Sequence, residues 1–239
     1  QRIVLKGNTH PLARKDLDRG PAPDGLAMNR MLLVLKRSPE QDTDLKNLLE
    51  AQQNPASPVY HKWLSPEEFG RRFGLGDEDL GTVTSWLQSR GFRIDRIAKG
   101  RGVIEFSGTA GQVRAAFQTT IRKFAAAGVE HWANATDPSI PAALSPVVEG
   151  VASLNNFRTR SLLRKTPGSF RATRGQPLLN ASTGEHFLVP ADYAVAYNIQ
   201  PLYDAGITGE GATIAVVAPT NFDVQDVADF RSLFQLFDN

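Results

Sequence analysis

Apolar and polar residues alternate along the first two-thirds of the chain in two distinct periods. Arg30-Met-Leu-Leu-Val-Leu-Lys36 is a short apolar run with charged ends, which predicts a buried strand. Ser38-Pro39 then opens a helix carrying Leu45, Leu48 and Leu49 at spacings of three and four. Ser65-Pro66-Glu67-Glu68 is a strong helix start: Ser65 caps, Pro66 takes the first position and Glu68 closes a capping box. Phe69 and Phe73 form its apolar stripe, and Gly74 ends it. From Asp77 to Arg90 a further helix turns Leu80, Val83 and Leu87 inward and stops at Gly91. Phe92 to Ile97 and Val103 to Ser107 alternate around Lys99-Gly-Arg-Gly102, a hairpin pattern. Thr109-Ala-Gly-Gln112 is a second capping box, heading a helix that buries Val113, Ala116 and Phe117. Thr119 to Phe124 reads as a last strand. With the short helix at 66–73 set aside, the order is β-α-β-β-α-β. That order predicts an α+β, ferredoxin-like (split βαβ) domain, an antiparallel sheet with helices on one face.

After Phe157 the pattern stops. Arg158, Arg160, Arg164, Lys165, Arg171 and Arg174 follow one another with no acid among them, punctuated by Pro167, Gly168, Gly175 and Pro177. This predicts an exposed, mobile basic linker over 158–186, dividing a front domain from a short tail. The expected organisation is an N-terminal extension at 1–27, a domain at 28–157, the linker, and a tail piece at 187–239.

Composition narrows the classes. The 239 residues are 41% hydrophobic and 22% charged, enough for a real core and against wholesale disorder. Lys and Arg number 27 against 25 Asp and Glu, and the excess sits in a segment whose basic run holds one aromatic, Phe170, so no nucleic-acid partner is expected. Cysteine is absent, which removes disulfides, thiolate zinc sites and cysteine nucleophiles. No run approaches the ~20 apolar residues of a spanning helix, so no membrane partner is expected either. Gln1 in first place suggests that a leader has been removed. The four histidines lack metal-ligand spacing, and Glu67-Glu68 reads as dipole-compensating acids of a first helical turn. Gly206, Gly209 and Gly211 precede a strand pattern, so they predict a turn and not a phosphate loop. Asn134-Ala-Thr136 and Asn180-Ala-Ser182 are glycosylation sequons. Trp63, Trp86 and Trp132 are expected as core or interface anchors.

Tyr60-His-Lys-Trp-Leu-Ser-Pro-Glu-Glu-Phe69, with Phe73-Gly74, resembles the propeptide of sedolisin (kumamolisin-type, family S53) serine-carboxyl peptidases. Ile104-x-Phe106-Ser-Gly-Thr-Ala110, Ala116-Phe117-x-Thr119, Ala133-Asn134, Pro138-x-Ile140-Pro141 and Val148-x-Gly150-Val151 continue the likeness in order. In the tail, Pro190-Ala-Asp192, Ala196-Tyr-Asn198, Gly206-Ile-Thr-Gly209-x-Gly211, Ile214-Ala-Val-Val217 and Phe230-Arg231 look like the start of a subtilisin-like α/β catalytic domain of that family.

The resemblance implies a secreted zymogen whose propeptide assists folding, inhibits the enzyme and is removed by cleavage in the linker, within Arg174 to Phe187. It implies activation in acid and a single partner, the protein's own catalytic domain. Its catalytic set of Ser, Glu and Asp and its calcium site all fall beyond Asn239, so this chain alone is expected to be inactive and free of cofactors. Ala218 stands where a subtilisin would end its first strand in a catalytic Asp, as the sedolisin scheme allows. The strand Thr213 to Val217 would then lack its neighbours, and 187–239 is expected to be poorly ordered, swapped or docked. The alternative is a stand-alone peptidase inhibitor that never matures.

Overall fold

The computed structural model describes residues 1–157, 179–180, 186–218, 222–234 and 236. The chain divides into two compact units, Gln1–Arg158 and Thr159–Asn239. The first is a mixed α+β domain with antiparallel sheets. Its strands are β1 (Arg2–Val4), β2 (Asp18–Pro21), β3 (Ala27–Leu35), β4 (Arg93–Ile97), β5 (Val103–Thr109), β6 (Ile121–Ala126), β7 (Val129–Asn134), β8 (Ser139–Pro141) and β9 (Val148–Ala152). Its helices are α1 (Pro39–Gln53), α2 (Pro66–Phe73), α3 (Asp77–Ser89) and α4 (Ala110–Phe117).

The helix starts follow the local code. Ser65 accepts from the Glu68 N–H at 3.2 Å while the Glu68 carboxylate accepts from the Ser65 N–H at 2.8 Å. Thr109 and Gln112 make the same reciprocal pair at the head of α4, and Ser38 and Gln41 at the head of α1. Of the three leucines expected to face inward from α1, Leu48 is buried and Leu49 is exposed. Gly91, just past α3, takes a left-handed φ of 84°, which suits a residue without Cβ. At Gly70 a Cβ would stand 2.1 Å from the Lys99 carbonyl, so α2 lies hard against the β4–β5 turn.

One sheet has the strand order β4-β5-β3-β9, antiparallel throughout. Strand alternation sends Met31, Leu33, Ile104 and Phe106 to one face, where they meet Val83 and Leu87 of α3 and Val113 and Phe117 of α4 in a single buried core. The Phe117 ring lies 5.3 Å from Trp86, 5.8 Å from Phe92 and 6.1 Å from Phe106. A second sheet, β2-β6-β7, and the pair β1-β8 complete the domain.

Two expectations change here. The strand expected at Thr119 to Phe124 forms as β6 but joins the second sheet, between β2 and β7, and the place beside β3 goes to β9. The register explains this: Leu33 faces Val151 across β3 and β9, burying two apolar residues, while Phe124 pairs with His131 across β6 and β7. Residues 1–27, set apart as an extension, supply β1 and β2 and belong to the first unit.

In the second unit, helices α5 (Pro190–Ala196), α6 (Gln200–Asp204) and α7 (Val224–Phe234) are described, with the short pair β10 (Leu179–Asn180) and β11 (His186–Phe187). Gly206, Gly209 and Gly211 all have positive φ, the turn geometry expected of them. Residues 213–217 form no strand, and Ile214, Val216 and Val217 are almost fully exposed. An extended run needs neighbours on both edges, and none pairs with it among the described residues.

Candidate functional site

The six basic residues singled out for processing, Arg158, Arg160, Arg164, Lys165, Arg171 and Arg174, lie outside the described residues. The surface that can be built from the residues upward is the outer face of the four-stranded sheet. There the alternation that buries Ile104 and Phe106 turns Glu105 and Ser107 the other way, beside Leu32 and Arg30 of β3. Ala27 to Leu35 is irregular at this point: Arg30 takes a left-handed φ of 59° in a bulge, and its N–H donates to the Ser107 hydroxyl at 2.9 Å.

Glu105 is only 7% exposed, and a carboxylate so placed needs partners. Arg30 Nε donates to Glu105 Oε1 at 2.5 Å, and Arg96 Nη2 stands 3.3 Å from Oε2. Alongside, Arg93 Nε donates to Asp95 Oδ1 at 2.7 Å and the Ser107 hydroxyl donates to Asp95 Oδ2. The hydrogen bond from Ser107, then the Arg93 guanidinium, hold the Asp95 carboxyl below the usual carboxylate range. Three guanidiniums thus stand over two carboxylates, with side-chain exposures of 77%, 76% and 70% for Arg30, Arg93 and Arg96. The carboxylates are spent inside the domain, and the positive groups face outward. Such a face can take an acidic protein surface, with Leu32 and Val34 as half-buried apolar ground between the charges.

Two further carboxylates tie the domain's ends. Asp137 accepts from the Gly7 and Asn8 N–H groups at 3.0 and 2.9 Å and from the Thr9 hydroxyl at 2.8 Å. Burial pushes its carboxyl up, but these hydrogen bonds outweigh it and leave the group below its ordinary range. Asp18 of β2 pairs with Arg122 of β6 at 2.6 Å, and that hydrogen bond lowers its carboxyl too.

Sequence reasoning missed Glu105. The available signal was a lone acid between two buried apolar residues of a predicted strand. Asp137 and Asn8 carried no local signal, since their partners lie about 130 residues away. Glu67 and Glu68 do act at the helix start, Glu67 also pairing with Lys99 at 2.6 Å. Among the proposed anchors, Trp86 and Trp132 pack on the core while Trp63 is 62% exposed, stacked beyond Tyr60 and His61. Asn134 is fully buried and donates to the Asn8 and Thr136 carbonyls, so its sequon is closed to modification in the folded domain. Among the described residues, no group of three or more His, Asp or Glu is placed to hold a metal ion, and no helix is long and apolar enough to cross a membrane.

The first unit is thus an antiparallel α+β domain with tied ends and guanidinium groups on the outer face of its sheet. Its family is the pro-kumamolisin activation domain, which matches residues 16–157, more than half of the chain; the chain belongs to that family. Similar proteins are xanthomonalisin of Xanthomonas sp. (strain T-22), 30% identical over 70% of this chain and 20% of its own length, and kumamolisin of Bacillus sp. (strain MN-32), 25% identical over 91% and 38%. Sedolisin of Pseudomonas sp. (strain 101) is 26% identical over 84% of this chain and 33% of its own length. The chain therefore spans between a fifth and two-fifths of these S53-family peptidases.

Proposed function

We propose that this chain is the propeptide region of a secreted, acid-activated serine-type endopeptidase zymogen of the sedolisin family, followed by the opening of its catalytic domain. The observation that carries the reading is the activation-domain match over residues 16–157. The strand order β4-β5-β3-β9, with helices between β3 and β4 and after β5, supports a split βαβ, ferredoxin-like core in which β9 takes the fourth place. Residues 158–186 are the processed segment, and 187–239 begin the enzyme. Calcium, implied for the complete enzyme, is assigned no residue of this chain.

The domain acts in two ways. Docked through the outer face of its sheet, it covers the enzyme with an interface of ordinary size, and a preformed sheet gives a slow-folding parallel α/β domain something to assemble against. Arg30, Arg93 and Arg96 meet acidic groups of the enzyme. Arg71 and Arg72, at the exposed end of α2, add to the basic surface.

Acid acts on both the interface and the domain. An enzyme carboxylate paired with Arg93 or Arg96 is lowered in the complex, so its contribution is present above its free value and lost as pH falls through the bound one. The same sign holds inside the domain for Asp18, Asp95 and Asp137, all lowered. Their contributions are full above the ordinary carboxylate range and fade below it, loosening the propeptide in acid.

The test is inhibition of a sedolisin-family catalytic domain by this chain near neutral pH, compared with the Arg93→Glu, Arg96→Glu double variant, its fold verified by tryptophan fluorescence because the two arginines also partner Asp95 and Glu105. Charge reversal is expected to weaken inhibition by roughly a hundredfold. Equal inhibition by the two would remove the outer sheet face from the interface.

A further inference from the structure

The chain's exit from the first unit is fastened from two sides. Residues 154–156 lie along the free edge of β7. The Asn134 N–H donates to the Leu154 carbonyl at 3.1 Å, the Asn156 N–H donates to the Trp132 carbonyl at 3.1 Å, and the Trp132 N–H donates to the Asn156 side-chain oxygen at 2.7 Å. Phe157 comes next, and its ring is sandwiched. His10 lies 4.3 Å away with planes 7° apart, and His131 lies 4.3 Å away with planes 22° apart. Phe124 stands behind at 6.5 Å.

The imidazole contributed by the N-terminal loop is itself held. His10 Nδ1 accepts from the Leu12 N–H at 3.2 Å. Two residues earlier, Asn8 ties the loop down: its side-chain oxygen accepts from the Val151 N–H at 2.7 Å, and its carbonyl accepts from Asn134 Nδ2 at 2.9 Å. Asp137 grips Gly7, Asn8 and Thr9. The loop at 6–12 is thus a strap over the C-terminal strip, and Phe157 is the point where strap and strip meet.

We infer that Phe157, clamped between His10 and His131, sets the N-terminal limit of processing, so that proteolysis of the precursor stops short of β9. The inference rests on the reading of 158–186 as the processed segment. A protease binds its substrate as an extended strand, with the backbone of several residues on each side of the cut free to pair with the cleft. Residues 154–157 already have their backbone bonds spent on β7 and on Asn155, whose side-chain oxygen accepts from the Phe157 N–H at 3.1 Å. Cutting there requires local opening, and two aromatic stacks hold the opened fraction down by roughly ten- to a hundredfold.

The experiment is limited digestion of the full chain at pH 7.5 with proteinase K, whose broad specificity does not depend on basic residues, reading the end of the N-terminal fragment by intact mass. The wild type is expected to yield fragments ending at Phe157 or later. Phe157→Ala is expected to move the ends into 152–156, with cutting there roughly ten- to a hundredfold faster, and Phe157→Trp is expected to restore the stop. Wild-type ends inside 152–156, or unchanged ends in Phe157→Ala, would overturn the inference. If Phe157→Ala is degraded throughout, His10→Ala, which removes one ring from a surface loop, is read in the same way: shifted ends support the clamp and unchanged ends overturn it. Cuts between 158 and 186 bear on the processing reading, and the fragment end relative to Phe157 bears on the clamp, so the two fail separately.

Discussion

Replacing Asp137 by Ala removes the acceptor that holds the N-terminal strap. Three hydrogen bonds to an ionised carboxylate are lost, from the Gly7 N–H to Oδ2 and from the Asn8 N–H and the Thr9 hydroxyl to Oδ1, at 2.8 to 3.0 Å. Bonds to a charged group contribute about 1.5–3 kcal/mol each when buried, but these donors lie at or near the surface, where water takes up part of the loss. A total of about 2–3 kcal/mol is the reasonable sum, or a urea midpoint lowered by about 1 M for a denaturant slope near 2 kcal/mol/M. All three tryptophans, Trp63, Trp86 and Trp132, fall in the first unit, so fluorescence reports its unfolding within the intact chain. The pH dependence has a definite sign. The Asp137 carboxyl is lowered in the fold, so the wild-type advantage is full above the ordinary carboxylate range and closes as pH falls through the folded value. A difference below about 0.5 kcal/mol at pH 7, or one that persists unchanged to pH 2, would mean that Asp137 does not hold the strap.

Gly70→Ala drives a Cβ to 2.1 Å from the Lys99 carbonyl, which is main chain and cannot rotate away; a cost of about 3 kcal/mol and a thermal midpoint lowered by about 6–12 °C are expected by calorimetry. Phe117→Ala empties the place where Trp86, Phe92 and Phe106 converge on a fully buried ring, and a loss of about 3–5 kcal/mol is expected in urea. A loss under about 1.5 kcal/mol would mean that these rings are not the centre of the core.

The helix starts were readable because each capping box closes within four residues, and Ser65–Glu68 and Thr109–Gln112 both form as spelled. The β4–β5 hairpin was readable for the same reason. What could not be read locally was strand partnership. Thr119 to Phe124 looked like the natural fourth strand because it follows α4 directly, yet β9 wins the place beside β3 with Val151 against Leu33. The difference lies in which faces are buried on both sides, a property of the whole fold and not of either segment.

The outer face of the sheet was half legible. The strands that carry Arg30, Arg93 and Arg96 were spelled in the hydrophobic pattern, whereas the three arginines gained meaning only when the bulge in β3 and the register of β4 brought them over Glu105 and Asp95. The N-terminal strap was wholly hidden, because Asn8, His10, Asp137 and Phe157 are joined only by contacts across the length of the domain. In the tail, the apolar run Ile214 to Val217 carries strand propensity, but a strand is a relation between segments and the described residues offer it no neighbour.

As proposed, the first unit binds and silences a sedolisin-type catalytic domain. The most direct measurement is the activity of such a domain, titrated with this chain at pH 7 and again at pH 3.5. The expected result is saturable inhibition at sub-micromolar concentrations of the chain near neutrality, weakening by at least roughly tenfold in acid, where the advantage of the lowered carboxylates Asp18, Asp95 and Asp137 and of those at the interface begins to close. Undiminished activity at pH 7 in a large excess of folded chain would contradict the account.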